Sequence, residues 1–216
     1  MTQEKQWLND RLGYFTASQI YRLLTTERGG SGFGQTAMTY IMEIVAEMLT
    51  GEGKAQVSSK SIEWGNDHEA EAMDMYIDGT GRKAMYFGKE NPVFFPINDL
   101  PAGGSPDGLI ENKRVIELKC PYDTANHIEN CIMTLEEFKK NRKEYYAQVQ
   151  LNMIATNVMT ADFCSYDPRI IDEDRRLSIL EVSYDRLFCD NMMDRIREAA
   201  NIRDRIYRTV LMKKAA

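Results

Sequence analysis

Between residues 104 and 120 the chain reads Gly-Ser-Pro-Asp-Gly-Leu-Ile-Glu-Asn-Lys-Arg-Val-Ile-Glu-Leu-Lys-Cys. No other run constrains the fold as much. Asp107-Gly108 is a turn-prone pair and Glu111-Asn112-Lys113 is a polar break. Leu109-Ile110 precedes that break and Val115-Ile116-Glu117-Leu118 follows it. Apolar and β-branched residues on both sides of a short polar break predict two strands joined by a hairpin turn. Side chains alternate along a strand, so Glu117 and Lys119 point to one face and Leu118 to the other. Pairing across the hairpin brings Asp107 towards Glu117. Two carboxylates brought together repel unless a cation lies between them. Hard oxygen donors with no His or Cys cluster nearby suit Mg²⁺, with Mn²⁺ as a substitute, better than Zn²⁺. The Leu118 carbonyl offers a further oxygen. Lys119 projects to the same place, where an ammonium orients an attacking water or helps deprotonate it. A plainer reading stands beside this one: Asp107 as a turn residue after Pro106, and Glu117 and Lys119 as the solvated face of a strand, because short acidic motifs recur by accident.

The rest of the chain reads as mixed α and β. Residues 35–49 carry Met38, Ile41, Met42, Val45, Met48 and Leu49 at helical spacing, with Gly51 as a stop. The three methionines are expected in the core. The preceding Glu27-Arg28-Gly29-Gly30-Ser31-Gly32-Phe33-Gly34 reads as a flexible loop, and it lacks the Lys-Ser/Thr ending of a phosphate-binding loop. Residues 61–78 read as a second helix, with Glu69 inside it and His68 about 100° further round. Residues 135–156 read as one long helix carrying Tyr145, Gln148 and Gln150. Strands are expected over 161–166 and 177–182, and a closing Arg-rich helix over 194–214, its arginines solvated or between subunits. Near the N-terminus, Ser18 precedes the helix-like Gln19-Ile20-Tyr21-Arg22-Leu23-Leu24 and suits an N-cap. A helix start is also an anion site, and Arg11 has the planar fork that suits phosphate.

Composition narrows the class. A chain of 216 residues is expected to form a single domain, 1–216, with a substantial core. It contains no apolar run long enough to cross a membrane and no secretory leader, which points to a cytoplasmic protein. Cys120, Cys131, Cys164 and Cys189 are scattered without a CxxC pair and read as reduced thiols. The net charge is −6, an unusual balance for a protein that binds nucleic acid. It is unevenly spread: residues 61–112 hold ten acids against three Lys/Arg, whereas residues 185–216 hold eight Lys/Arg against five acids. Contacts to nucleic acid are therefore expected to be local.

The Pro106-Asp107 and Glu117-Leu118-Lys119 pattern resembles the PD-(D/E)xK nucleases. The longer run Gly104-Ser105-Pro106-Asp107-Gly108 with Glu117-Leu118-Lys119-Cys120-Pro121 resembles the lambda-type alkaline exonucleases and their viral recombinase relatives. Other blocks match in the same order: Trp7, Arg11-Leu12-Gly13, Thr16-Ala17-Ser18, Glu47-Met48-Leu49-Thr50-Gly51, Trp64-Gly65 with Glu69, Ala147-Gln148-Val149-Gln150 and Tyr166-Asp167-Pro168-Arg169. They span roughly residues 7–170, and their order weighs against the plainer reading.

The resemblance implies a restriction-endonuclease-like α/β (α+β) core, with a mixed central sheet flanked by helices. It implies a Mg²⁺-dependent exonuclease acting 5′ to 3′ on double-stranded DNA ends and leaving 3′ single strands for annealing-type recombination. Asp107, Glu117 and the Leu118 carbonyl would hold metal, in all two ions, with Glu69 as a further acidic group, Lys119 acting on the water, and Gln148 facing the phosphate. Arg11, Ser18, Ser105 and Gln148 would form a pocket for the 5′-terminal phosphate. The family also implies a homotrimeric ring, a single-strand annealing protein as partner, and a phage or prophage origin in a bacterial host. Two alternatives remain at this level: a restriction- or resolvase-like endonuclease on the same core, and a catalytically silent DNA-end-binding scaffold.

Overall fold

The backbone is organised around one strand, β6 (Arg114–Lys119), in a computed structural model that describes residues 2–53, 59–111 and 113–213. The segment Arg-Val-Ile-Glu-Leu-Lys is buried on both faces over residues 115–118, as a central strand is. On one side β6 pairs antiparallel with β5 (Gly108–Ile110), Gly108 opposite Ile116. On the other it pairs parallel with β7 (Thr160–Tyr166), Glu117 opposite Phe163 and Lys119 opposite Ser165. The expected hairpin therefore forms; its Asn112 lies outside the described residues. With β2 (Met85–Tyr86) beyond β5 and β8 (Leu177–Ser183) beyond β7, the order is β2-β5-β6-β7-β8 in one mixed sheet. A second, small sheet is made of β1 (Phe15–Thr16), β4 (Ala102–Gly104) and β3 (Phe95–Pro96), in the order β1-β4-β3. Strands of two or three residues leave no periodic trace, and no reading of the sequence anticipated this sheet.

Both faces of the main sheet are covered by helices. Alternation along β6 sends Ile116 and Leu118 to one face, where they pack with Ala72, Met73 and Tyr76 of α3 (Lys60–Thr80). Val115 goes to the other face, against Tyr146, Val149 and Met153 of α6 (Lys143–Thr156). Glu117 and Lys119 share that second face. Behind α6, a third apolar cluster joins the 3₁₀ helix Ala17–Leu24 to α2 (Gln35–Thr50) and α7 (Arg186–Met212) through Ile20, Leu23, Ile41, Ile44, Leu151, Met192 and Ile196. The chain thus carries the expected mixed sheet flanked by helices. The shorter helices are α1 (Gln3–Asp10), α4 (Thr124–Ile132) and α5 (Leu135–Asn141).

Several local expectations are overturned. The single helix over 135–156 is two: Arg142 leaves helical geometry (φ −122°, ψ 51°), ending α5 and starting α6. Its guanidinium reaches back to Asn130 and Glu129 of α4, so tertiary contacts break a run that helix propensity would have continued. Ser18 is not an N-cap. Thr16 holds that position, without a side-chain bond, and the helix that follows is 3₁₀. The closing helix begins at Arg186, capped by the Asp185 carboxylate accepting from Phe188 N–H; Lys214 lies outside the described residues. Met42 is exposed, although Met38 and Met48 pack against the core.

The glycine-rich segment is tied down, where sequence suggested a flexible loop. Thr26 bridges to Phe33. The Arg195 guanidinium, expected to be solvated, is buried over the Phe33 ring at 3.7 Å and donates to the carbonyls of Leu23, Thr25 and Ser31 at 3.0–3.1 Å. Arg203 similarly donates to the Gly13 carbonyl at 2.7 Å. Removing Arg195 breaks three hydrogen bonds, each worth about 1 kcal/mol, and leaves the carbonyl of buried Leu23 without this donor, whereas the Thr25 carbonyl keeps the Gly34 N–H. Arg195→Ala is expected to lower unfolding free energy by about 3 kcal/mol, read as an earlier urea midpoint; a midpoint within error of the wild type would show the clamp to be dispensable.

Candidate active site

The chain crosses from the small sheet to the large one through Ser105-Pro106-Asp107, between β4 and β5. That crossing is held from both sides. β1 lies parallel to β4, with Thr16 opposite Gly103, which carries Ala17 and Ser18 alongside Ser105. α6 closes over the other side, and it approaches so tightly that a Cβ on Gly104 would sit 2.2 Å from Asn152 Oδ1 and 3.2 Å from its Cα. Only glycine permits that spacing.

Glu117 is fully buried, at 0% exposure, in the middle of β6. A buried carboxylate requires partners, and it has three. Oε1 accepts from Lys119 Nζ and from Gln148 Nε2, each at 2.5 Å, and Oε2 accepts from Asn152 Nδ2 at 2.9 Å. Gln148 and Asn152 are one helical turn apart on α6 and face the sheet together. Asp107 Oδ2 accepts from the Leu118 N–H at 2.6 Å, which pins the acid to the strand that carries Glu117. Glu69, on α3, accepts from the Tyr86 hydroxyl at 3.1 Å. Lys119 Nζ lies 5.2 Å from the centre of the Tyr145 ring.

The electrostatics are those of crowded negative charge. Burial and the nearby Asp107 push Glu117 up to about 8 and Glu69 up to about 7. Burial raises Asp107 too, against the opposing pull of Lys119 and the Leu118 N–H. For Lys119, burial disfavours the charge, but Glu117 and Asp107 outweigh it and raise its pKa. In this arrangement its Nζ donates to Glu117 Oε1. Among the described residues, no three His, Cys, Asp or Glu side chains are close enough to cage an ion by themselves. The donor chemistry nevertheless fits a hard divalent cation: acids that burial and mutual repulsion hold above their ordinary pKa are relieved by positive charge placed between them.

A cavity of about 250 Å³ adjoins this centre, lined by Trp7, Arg11, Thr16, Ala17, Ser18, Ser105 and Gln148. Arg11, Ser18, Ser105 and Gln148, scattered over the sequence, thus line one space. Arg11 lies flat over the Trp7 ring at 4.0 Å, and Trp7 Nε1 donates to Ser105 Oγ at 2.9 Å. Burial lowers the Arg11 pKa, only partly offset by Tyr40 and Glu47. A buried guanidinium in that condition gains from an anion brought to it. Gln148 belongs to both places, bonded to Glu117 and lining the cavity. The His68 ring lies tilted against Trp64, centroids 4.0 Å apart, and its Nδ1 meets Glu71 at 3.4 Å, apart from the acids described above. Two contributors escaped sequence reading, Asn152 and Tyr86; Trp7 was named there only as part of a matching block, with no role. For Asn152 a signal existed, since it lies four residues after Gln148.

The raised pKa values have a consequence for stability. A carboxyl whose folded-state pKa is raised favours folding fully below its unfolded pKa of about 4.5, and that contribution is lost as pH rises through 7 to 8. In EDTA the melting temperature is therefore expected to fall from pH 6 to pH 8.5 more steeply than in Glu117→Gln. Added Mg²⁺ should raise it more at pH 8.5 than at pH 6, because deprotonated acids bind the ion. Equal slopes for the two proteins would mean that Glu117 does not carry the shift.

Comparison with known proteins places the fold and the family. The chain is similar over 95% of its length, and 95% of theirs, to two structures of the alkaline exonuclease LHK-Exo from Laribacter hongkongensis. One is at 25% identity and the other, in complex with dAMP, at 26%, both with a TM-score of 0.78. A phage-related exonuclease from Haemophilus somnus 129PT shares the fold at 16% identity and a TM-score of 0.69, over 92% of this chain and 95% of that one. Among curated protein sequences none matches. The YqaJ-like viral recombinase domain matches residues 6–159. With the mixed sheet, the acid–acid–lysine strand and a family match over most of its length, the chain belongs to the YqaJ-like viral recombinases.

Proposed function

We propose that this single-domain protein is a Mg²⁺-dependent exonuclease that digests double-stranded DNA ends 5′ to 3′ and leaves 3′ single-stranded overhangs. The observation that carries this reading is the Arg11–Ser18–Ser105–Gln148 cavity directly beside the Glu117 carboxylate. Such a cavity suits a terminal phosphate and disfavours an endonuclease, which requires the strand to continue in both directions. The intact set of Asp107, Glu117 and Lys119 weighs against a silent scaffold.

Asp107, Glu117 and the Leu118 carbonyl would hold the metal, in all two ions, with Glu69 assisting. When bound, Mg²⁺ or Mn²⁺ would neutralise charge on the attacking and leaving oxygens of an in-line displacement. Lys119, kept cationic by its carboxylate neighbours, would orient the attacking water by donation. Gln148 would hold the phosphate edge while keeping Glu117 in register. Arg11 would anchor the 5′-phosphate, and a fixed end one nucleotide from the acids sets the direction of digestion. The chain is further proposed to act in the bacterial cytoplasm, in a phage or prophage setting, as a homotrimeric ring alongside a single-strand annealing protein. A ring would retain DNA by topology and so relieve a net-acidic protein of much electrostatic grip.

Four measurements test this. With Mg²⁺, linear duplex is expected to be digested, faster from 5′-phosphorylated than from 5′-hydroxyl ends, and closed circles spared; digestion from 3′ ends would reject the polarity. Lys119→Ala is expected to abolish cleavage while DNA binding persists, and near-native turnover in a folded variant would reject the chemistry. Arg11→Ala removes a charge-assisted contact of about 1.5–3 kcal/mol and is expected to erase most of the phosphate preference. Sedimentation that gives only monomer, together with long processive tracts, would reject the ring.

A further inference from the structure

A second cavity, of about 630 Å³, lies past Lys119 and Tyr145. It shares no lining residue with the Arg11 cavity, and the two approach each other at Glu117, whose Oε1 accepts from Gln148 on one side and Lys119 on the other. Its wall carries Glu69, Asp123 and Glu144, while its cations are engaged: Lys119 with Glu117, and Arg142 with Glu129 at 2.7 Å. That charge balance suits a nucleobase better than another backbone phosphate.

Tyr122, at 50% exposure, stands at this wall. Its mount is rigid. Arg169 donates to the Tyr122 carbonyl at 3.0 Å and to that of Pro121 at 3.2 Å, and is itself gripped by the fully buried Asp167 at 2.7–2.8 Å. The same guanidinium lies over the Trp64 ring at 4.4 Å, and Trp64 meets Tyr122 edge-on at 6.1 Å. A ring whose backbone mount is already fixed and whose edge meets Trp64 loses less freedom when a flat partner stacks on it, and stacking tolerates any base.

We infer that Tyr122 is the stacking platform for a nucleobase of the digested strand just beyond the scissile bond, on the opposite side of the acids from the terminal phosphate. The inference rests on the nuclease reading above. With the end held at Arg11 and the reacting bond at Asp107 and Glu117, the cavity past Lys119 offers the continuing strand more room than the cavity of about 180 Å³ beside Asp107 and Glu69. The Asp167–Arg169 pair is thereby assigned the task of positioning Tyr122.

The test uses 5′-phosphorylated duplex with 2-aminopurine as the second nucleotide from that end, bound in EDTA so that nothing is cut. Wild type and Tyr122→Phe are expected to bind alike and to quench the probe. Tyr122→Ala and Tyr122→Leu should lose the quenching, with Tyr122→Ala binding roughly 5- to 150-fold more weakly. In Mg²⁺, Tyr122→Ala should raise KM more than it lowers kcat. Affinity and quenching within twofold of wild type for a folded Tyr122→Ala would overturn the platform. A changed sedimentation coefficient with unchanged DNA affinity would also overturn it, marking Tyr122 as a protein contact. Wild-type protein that neither binds nor digests the duplex would instead overturn the nuclease reading itself.

Discussion

The architecture depends on keeping one carboxylate dry. Glu117 sits at full burial in the central strand, where an uncompensated charge would be very costly. Its three donors come from its own strand and from α6. α6 reaches them only because Gly104 leaves no side chain in the way. The packing of α6 against β4 and the 3₁₀ helix, and the parallel pairing that brings β1 beside β4, follow from the same close approach. A buried acid confers little stability by itself. It ties β6 to α6, and the two must then fold together.

Legibility in the sequence tracks the range of the interactions. The hairpin and the directions of Glu117 and Lys119 were readable because strand alternation is local. The helix at Gln35–Thr50 was readable because its periodicity and the Gly51 stop are local too. The break at Arg142 was not, because its cause lies in contacts to Glu129 and Asn130. The clamp on the glycine segment comes from Arg195, more than 160 residues away. The meeting of Arg11 and Ser18 with Ser105 depends on strands of two and three residues, too short to register as a pattern. Those residues were named through resemblance and not through spacing.

Charge follows the same logic of local arrangement. The excess of acids in residues 61–112 is concentrated where Glu69 and Asp107 approach β6, and their raised pKa values express it. Arg11 and Lys119 are the cations set against that centre, and both are largely enclosed: one over Trp7, the other 23% exposed beside Tyr145. A net-negative chain thus places positive charge at two chosen points, and its average charge says little about its affinity for an anionic polymer.

Gln148 gives this arrangement a reciprocal character. One amide nitrogen both touches the Glu117 carboxylate and borders the Arg11 cavity. An occupant of that cavity that draws the amide towards itself frees a lone pair on Glu117, and a cation that claims the lone pair frees the amide. Because linkage is symmetric for binding free energies, each ligand must change the affinity of the other by the same factor. Communication between the two sites then needs no hinge and no domain motion. It runs through a single side chain whose amide faces both sites.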